Sequence, residues 1–481
     1  MHIDVLLETA KHTGETSIMP TPFEYANQNA TSFLQQLVDL LRIPSISTDP
    51  ERRGAVQEAA NWIADNMKRA GLNNVAIMPT GEYTPQKPSH PVVYGEWLGA
   101  GEHAKTVLIY GHYDVQPAIK EDGWDNEPFE PTEVKGKLVA RGASDDKGQM
   151  FIHIKAIESI LKTEGKLPVN VKLIIEGEEE IGSPNLVKFI QDHRDMLKAD
   201  VCLISDTGMD REDQPSIIYA LRGLVGFEIH VVGPHKDLHS GSYGGAVHNP
   251  IQALTEIVAK LHDENGTITV PGFYDDVATL SDEERAELQK TNPSDEHWKS
   301  ITGVKQVWGE KEFTIRERIG ARPTLELNGI GGGFQGDGIK TVLPSQAMAK
   351  ITCRLVAHQK PQRIFELVRD YVAQIAPPTV SVEVKMLPGV GDPGLVELDN
   401  PYMKAAIRAY EKAWGAKPVF MREGGSIPIV ADFRRELGTP VVLMGYGLNT
   451  DGAHGPNESF TISMFHRGIQ TAIQYLYEVS Q

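Results

Sequence analysis

Three short stretches gather side chains that bind divalent metal ions: Gly111-His112-Tyr113-Asp114, Arg141–Gly148 with its Asp145-Asp146 pair, and Glu176–Gly182 with Glu178-Glu179-Glu180. The first and third come directly after apolar, strand-like runs, Val107–Tyr110 and Val171–Ile175. Ligands of an open α/β sheet collect at the carboxyl ends of its strands. A histidine, an aspartate and adjacent glutamates delivered from such ends make a cage for zinc or a harder cation. His112 and Asp114 stand two residues apart, so both side chains can point the same way. Asp206, after the run Val201–Ile204, and His454 occur in comparable loops. Each alone has an ordinary reading: a structural histidine, a solvated turn or helix cap at Asp145-Asp146, an exposed acidic face at Glu178–Glu180. The glutamates, however, emerge from an apolar strand, and buried carboxylates need a cation or hydrogen-bond donors. Taken together, the set points to metal-assisted chemistry.

The elements that must position these residues are legible as periodic runs. Phe33, Leu34, Leu37, Val38 and Leu41 predict a helix stopped by Pro44, and Val56, Ala59, Ile63 and Met67 predict another, capped by Gly71. Val75–Met78, Val92–Leu98 and Val107–Tyr110 read as strands, and a helix is predicted to start close to Asp145. At 481 residues the chain exceeds what one core usually serves. The expectation is an α/β domain with a mixed, largely parallel sheet flanked by helices, carrying an inserted α+β module. The boundaries are 1–215 and 393–481 for the larger domain and 216–392 for the insert. Within the insert, 263–322 is polar and punctuated by Pro and Gly, which predicts a surface excursion. Residues up to about Asn27 show no period and read as a loose arm or a partner-docking segment.

Composition narrows the partners. A net charge of −18 disfavours nucleic acid and anionic membrane. No apolar run reaches membrane-spanning length, the start lacks a signal-like pattern, and two cysteines suit a reducing compartment, so a cytoplasmic protein is expected. Cys202 and Cys353 read as small buried hydrophobes. Gly331–Gly336 matches GxGxxG, yet residues 338–344 read as a strand, not the helix a dinucleotide loop requires.

The motifs His112–Pro117, Arg141–Gly148, Glu176–Ser183, Ser205-Asp206, Asp237–Gly245, Arg422–Pro428 and Asp451–Glu458 occur in one order from roughly residue 30 to the end. In this the chain resembles the co-catalytic dinuclear-zinc metallopeptidases that include carnosinase, cytosolic non-specific dipeptidase, glutamate carboxypeptidase and acetylornithine deacetylase. Leu238-His239-Ser240-Gly241 and Gly424–Pro428 resemble the dipeptidase branch. The resemblance implies two divalent ions, zinc first with manganese or cobalt as alternatives. Asp145 would bridge them, His112 and Asp206 completing one site, Glu180 and His454 the other. Asp114 would accept the far ring N–H of His112. The pattern Glu-Glu-x-Gly-Ser makes Glu179 the general base and leaves Glu178 a variable position. Two ions roughly 3.5–4 Å apart would acidify a shared water for attack on a peptide carbonyl. His239 would stabilise the oxyanion, Arg354 would hold the substrate carboxylate, and Thr341 and Ser426 would add hydrogen bonds. For Arg354 a surface salt bridge is the competing reading. The implied activity is hydrolysis of dipeptides or short peptides; N-acyl amino acid deacylase or short-peptide carboxypeptidase are the alternatives on the same core. The inserted module would act as lid and dimerisation domain, with His239 reaching into the partner's site of a homodimer.

Overall fold

Four of the apolar runs lie side by side and parallel: Asn170–Glu176, Thr106–His112, Val201–Ile204 and Val441–Leu443, at the centre of a nine-stranded sheet. The computed structural model describes residues 19–82, 89–425 and 429–481, so Ser426 lies outside the described residues. Asn170–Glu176 and Val201–Ile204 are buried along their whole length. Strands covered on both faces need no polar alternation, which is why these stretches read as continuous apolar runs. Antiparallel strands extend the sheet on one side, Val92–Trp97 and then Asn73–Met78. On the other side comes Ser216–Leu221, which pairs with Gly394–Leu395 and Val419–Glu423. The sheet is therefore mixed, with a parallel centre.

Helix Arg53–Ala70 ends at Gly71 in a left-handed conformation (φ 101°), as its sequence position requires. Helix Lys147–Glu164 begins directly after the Asp145-Asp146 pair and is buried on nearly every side. Its polar residues are satisfied internally. Lys147 Nζ donates to the carbonyls of Leu40 and Ile43, Gln149 donates to the Ser144 carbonyl, and Lys155 donates to Gln36 and Glu158. Gly148, in its first turn, has no room for a side chain: a Cβ would sit 2.0 Å from the Ala143 carbonyl oxygen. The Asp145 loop and the helix start are thus pressed together.

A second sheet, in the order Thr324–Gly332, Gln346–Leu355, Gly223–Val232 and Ser381–Met386, is wholly antiparallel. One face buries Val225, Phe227, Ile229, Val231, Ile351 and Leu355 against helices Pro250–Val258 and Pro361–Ile375, forming a separate core. That core draws its residues from 225–386. The strand Ser216–Leu221 instead belongs to the large sheet, and the chain passes to the second sheet immediately after it. The return crossing runs alongside, through the Leu224–Gly391 bridge.

Two expectations change. Residues 263–322 are not a free surface excursion. They form helices Asp282–Gln289, Asp295–Thr302 and Ile315–Gly320, and dock back on the large sheet. Glu284 accepts from Arg422 and Tyr219, Glu287 accepts from the Phe420 amide, and Arg316 pairs with Asp210 at 2.6 Å. The polar composition that suggested a solvated loop is spent on these ion pairs. Of the expected arm, residues 1–18 lie outside the described residues; beyond them Pro22–Gln28 is a helix with a Thr21–Glu24 capping box, and Gln470 donates to Phe23 and Asn27. Seven residues are too few to declare a period. Gly331 and Gly332 end a strand, and no helix opens after them. No helix among the described residues is long and apolar enough to cross a membrane. Cys202 and Cys353 are free and buried, and burial raises both thiols.

Candidate metal centre

The four central strands end on one edge of the sheet, and the loops beyond them converge. Strand Thr106–His112 delivers His112, Val201–Ile204 leads into Asp206, and the loop after Val441–Leu443 carries His454. His112 Nε2 lies 3.0 Å from Asp145 Oδ1 and 3.9 Å from Asp206 Oδ2. His454 Nε2 lies 2.9 Å from Asp145 Oδ2 and 3.1 Å from Glu180 Oε2. Two groups of candidate ligands result, His112–Asp145–Asp206 and Asp145–Glu180–His454, each with its donor atoms within 4.8 Å of one another. Asp145 belongs to both and turns one oxygen to each. A carboxylate presented this way suits a bridge between two cations, and the mixed N/O donor set fits zinc-like ions.

The surroundings hold these atoms in place. Asp114 is fully buried. Its two carboxylate oxygens accept the amides of Glu179 and Glu180 at 3.2 and 3.1 Å. His112 Nδ1 lies 3.1 Å from the Asp114 carbonyl and 3.4 Å from its carboxylate. The carbonyl is the nearer acceptor because the carboxylate is turned toward the glutamate loop, so one residue orients both the histidine and that loop. Gln116 donates to Glu180 from its side chain (2.7 Å) and from its amide (3.2 Å). Glu458 accepts from Arg141 and from the amides of Gly142, Ser144 and Asp145, all between 2.8 and 3.1 Å. Neither Gln116 nor Glu458 stands out in the sequence as a site residue, although both lie inside the motifs given above. Glu178 is buried and accepts from the His90 amide and the Asn185 side chain. His454 sits in a left-handed backbone (φ 62°), strained for a residue with a side chain by about 1 kcal/mol.

The electrostatics call for cations. Burial pushes Asp206, Asp146 and Glu176 well above the ordinary carboxylate range, with neighbouring Asp145, Asp114 or Glu179 charges adding to the rise. Burial likewise raises Glu179 to about 8, reinforced by Asp145, Glu180 and Asp114. Burial alone would lower His112, but Asp114 and Asp145 outweigh it and hold it well above its usual value. Asp145 and Glu180 raise His454 to about 10. Without ions, the raised histidines and the raised carboxylates both favour bound protons in this cluster. A histidine must shed its proton to become a ligand. Loading the ions at pH 7 is therefore expected to release protons, and affinity should rise with pH through the neutral range. Calorimetry in two buffers of different ionisation heat reads this directly, and equal heats in both would contradict the protonation described.

Of the remaining described candidates, Arg354 lies on the second sheet, and His239 and Thr341 lie at a separate two-stranded ribbon. His239 and Thr341 are exposed neighbours: His239 pairs with Val342, and the Ser240 amide donates to the Thr341 carbonyl. His239 Nδ1 accepts from the Gly241 amide at 3.0 Å, and no described hydrogen bond of His239 reaches the metal ligands. Arg354 is half-buried, opposite Thr324 and Leu224 in the ladder, and lines a cavity of about 790 Å³ shared with Arg222 and Trp308.

A helix-flanked sheet whose strand ends gather two cation sites around one shared aspartate defines a dinuclear metallohydrolase. The chain belongs to peptidase family M20/M25/M40, whose profile matches residues 108–478. It is 34% identical over 471 residues to the Cys-Gly metallodipeptidase DUG1 of Candida albicans, covering 95% of this chain and 96% of the relative. It is 32% identical over 479 residues to the human Beta-Ala-His dipeptidase, covering 97% and 93%. Among solved structures, the dipeptidase Dug1p of Saccharomyces cerevisiae superposes with a TM-score of 0.82 at 31% identity, covering 95% of this chain and 98% of that one. The protein is a dipeptidase-like metallopeptidase, a metal-dependent amide hydrolase.

Proposed function

We propose that this enzyme hydrolyses dipeptides bearing a free C-terminal carboxylate. The observation that carries the reading is the shared Asp145, with one oxygen toward His112 and the other toward His454. His112, Asp145 and Asp206 would hold one ion and Asp145, Glu180 and His454 the other, zinc being the first expectation and manganese or cobalt the alternatives. When bound, the ions supply Lewis acidity toward the substrate carbonyl and an acidified water.

The chain's own groups do the rest. Glu179 is held by its amide on Asp114 and is raised by burial toward neutrality, the range in which a general base is effective. It takes a proton from the attacking water as the O–C bond forms, and returns it to the amine nitrogen as the C–N bond breaks. His239 donates to the carbonyl oxygen as it gains charge, and Arg354 clamps the terminal carboxylate. Thr341 and Ser426 supply further hydrogen bonds. That both curated relatives above are named as dipeptidases favours this substrate over N-acyl amino acids. A panel of dipeptides, tripeptides and N-acyl amino acids, each assayed with zinc, manganese and cobalt, tests it; turnover confined to N-acyl amino acids would overturn it.

The enzyme acts as a homodimer in a reducing, cytoplasmic setting. Support for the dimer comes from the edge strand Thr324–Gly332 and the loop after it, where Leu327, Ile330, Phe334 and Ile339 are exposed by 43, 51, 45 and 95%. An unpaired apolar edge is a natural site for a second copy. His239 would then serve the partner's site. His239→Ala and Glu179→Ala enzymes should each be nearly inactive, yet an exchanged mixture should recover about one quarter of wild-type activity. Half the dimers are mixed and each has one intact site under two-fold symmetry. Demonstrated exchange without recovery would assign His239 a role within its own subunit or none.

A further inference from the structure

Trp308 is 72% exposed, the most solvent-open tryptophan among the described residues. The ring joins neither hydrophobic core and instead borders an open cavity. The ring is nonetheless firmly mounted. Its edge lies over Gly266, where an added Cβ would sit 3.3 Å from Cε2 and Cζ2. Arg318 grips the backbone at and just after it, donating to the Trp308 carbonyl at 3.0 Å and to the Glu310 carbonyl at 2.8 Å. Arg322 then binds Glu310 through two 2.7 Å hydrogen bonds while stacking over Phe313 and Tyr274. An aromatic held this way loses little freedom when something packs against it.

The cavity it borders, about 790 Å³, has the size of a small-ligand site. Its lining is mixed. Val258, Ile268 and Leu327 join Trp308 as apolar groups, Arg222, Arg318, Arg322 and Arg354 supply cations, and Asp263, Glu310 and Glu326 supply acids, with Arg322 already paired to Glu310. The charge of Glu326 supports Arg222 and His262. Arg222 ties the cavity to the large domain, donating from Nε to the Gly424 carbonyl and from its amide to the Gly425 carbonyl. A ligand suited to this space carries a carboxylate at one end and a bulky apolar group beside it.

We infer that this cavity receives the C-terminal residue of the peptide, with Trp308 a specificity-determining wall that selects large apolar or aromatic side chains there. The inference rests on the dipeptide reading and on Arg354 holding the carboxylate. Hydrolysis of Ala-Phe, Ala-Leu, Ala-Gly, Ala-Glu and Ala-Lys by wild type, Trp308→Ala and Trp308→Phe tests it. Wild type should favour Ala-Phe and Ala-Leu over Ala-Gly by about tenfold or more in kcat/KM, the scale of one aromatic contact plus its buried area. Trp308→Ala should lose about tenfold on those two, chiefly in KM, leave Ala-Gly within about twofold, and be largely rescued by Trp308→Phe. Equal losses on every substrate, no change on any, or a wild-type preference for Ala-Glu or Ala-Lys would overturn the inference while leaving the dipeptidase intact. Failure of wild type on every dipeptide, with N-acyl amino acids turned over, would instead remove the reading beneath it and the inference with it.

Discussion

Asp145→Ala is expected to abolish activity and to empty both cation sites at once. The reason is the pair of contacts near 3 Å that a single carboxylate makes, to His112 on one side and to His454 on the other. Removing an ordinary ligand leaves a pair of donors and one intact neighbouring site; removing a shared one leaves His112 with Asp206 on one side and Glu180 with His454 on the other. Two donors hold zinc-like ions weakly beside three or four. The fold should survive, because the loop's attachment to Glu458 runs through backbone amides that the substitution leaves in place. Metal analysis after gel filtration, with circular dichroism as the control for folding, decides it. A folded variant retaining one equivalent of metal would show that Asp145 serves a single ion.

The second large effect separates adjacent residues. Glu179→Ala should keep both ions and lose turnover on the order of 10²–10⁴-fold, the usual contribution of a general base. Glu180→Ala should lose one ion, because its carboxylate lies 3.1 Å from His454 and is fixed by Gln116. Both amides hang from the same Asp114 carboxylate, so neither substitution removes what positions the other. Metal content and kcat measured on the two variants give opposite patterns. If the patterns are exchanged, the base and the ligand are exchanged too.

The central strands and the residues at their ends are readable in the sequence because both carry strong local signals. An unbroken apolar run marks a buried strand, and histidines and carboxylates recurring just past several such runs mark a site even though each alone has an ordinary reading. The parts that local signals do not reveal are made by contacts across hundreds of residues. Glu458 looks like any acid in a loop until Arg141 and three amides from 142–145 close around it. Glu178 has the composition of a surface acid, and the His90 amide that it meets when buried comes from a distant part of the chain, joined by nearby Asn185. The stretch 263–322 is polar by count, and its polarity is matched by Arg422, Tyr219 and Asp210, none of them nearby in sequence. Local periodicity reports which faces are apolar; it is silent on which charges will meet.

The clasp of Glu458 on the Asp145 loop also bears on the order in which the enzyme is made. His112, Asp145, Glu180 and Asp206 emerge before His454 and Glu458, with most of the second sheet's residues made in between. Until then the bridging loop lacks the acceptor for four of its donors, and one of the two cation sites lacks its histidine. A nascent or prematurely ended chain thus carries most of the ligands without the means to align them. With the ligand set proposed above, a chain whose synthesis has not yet reached His454 and Glu458 would have no working centre to turn on peptides.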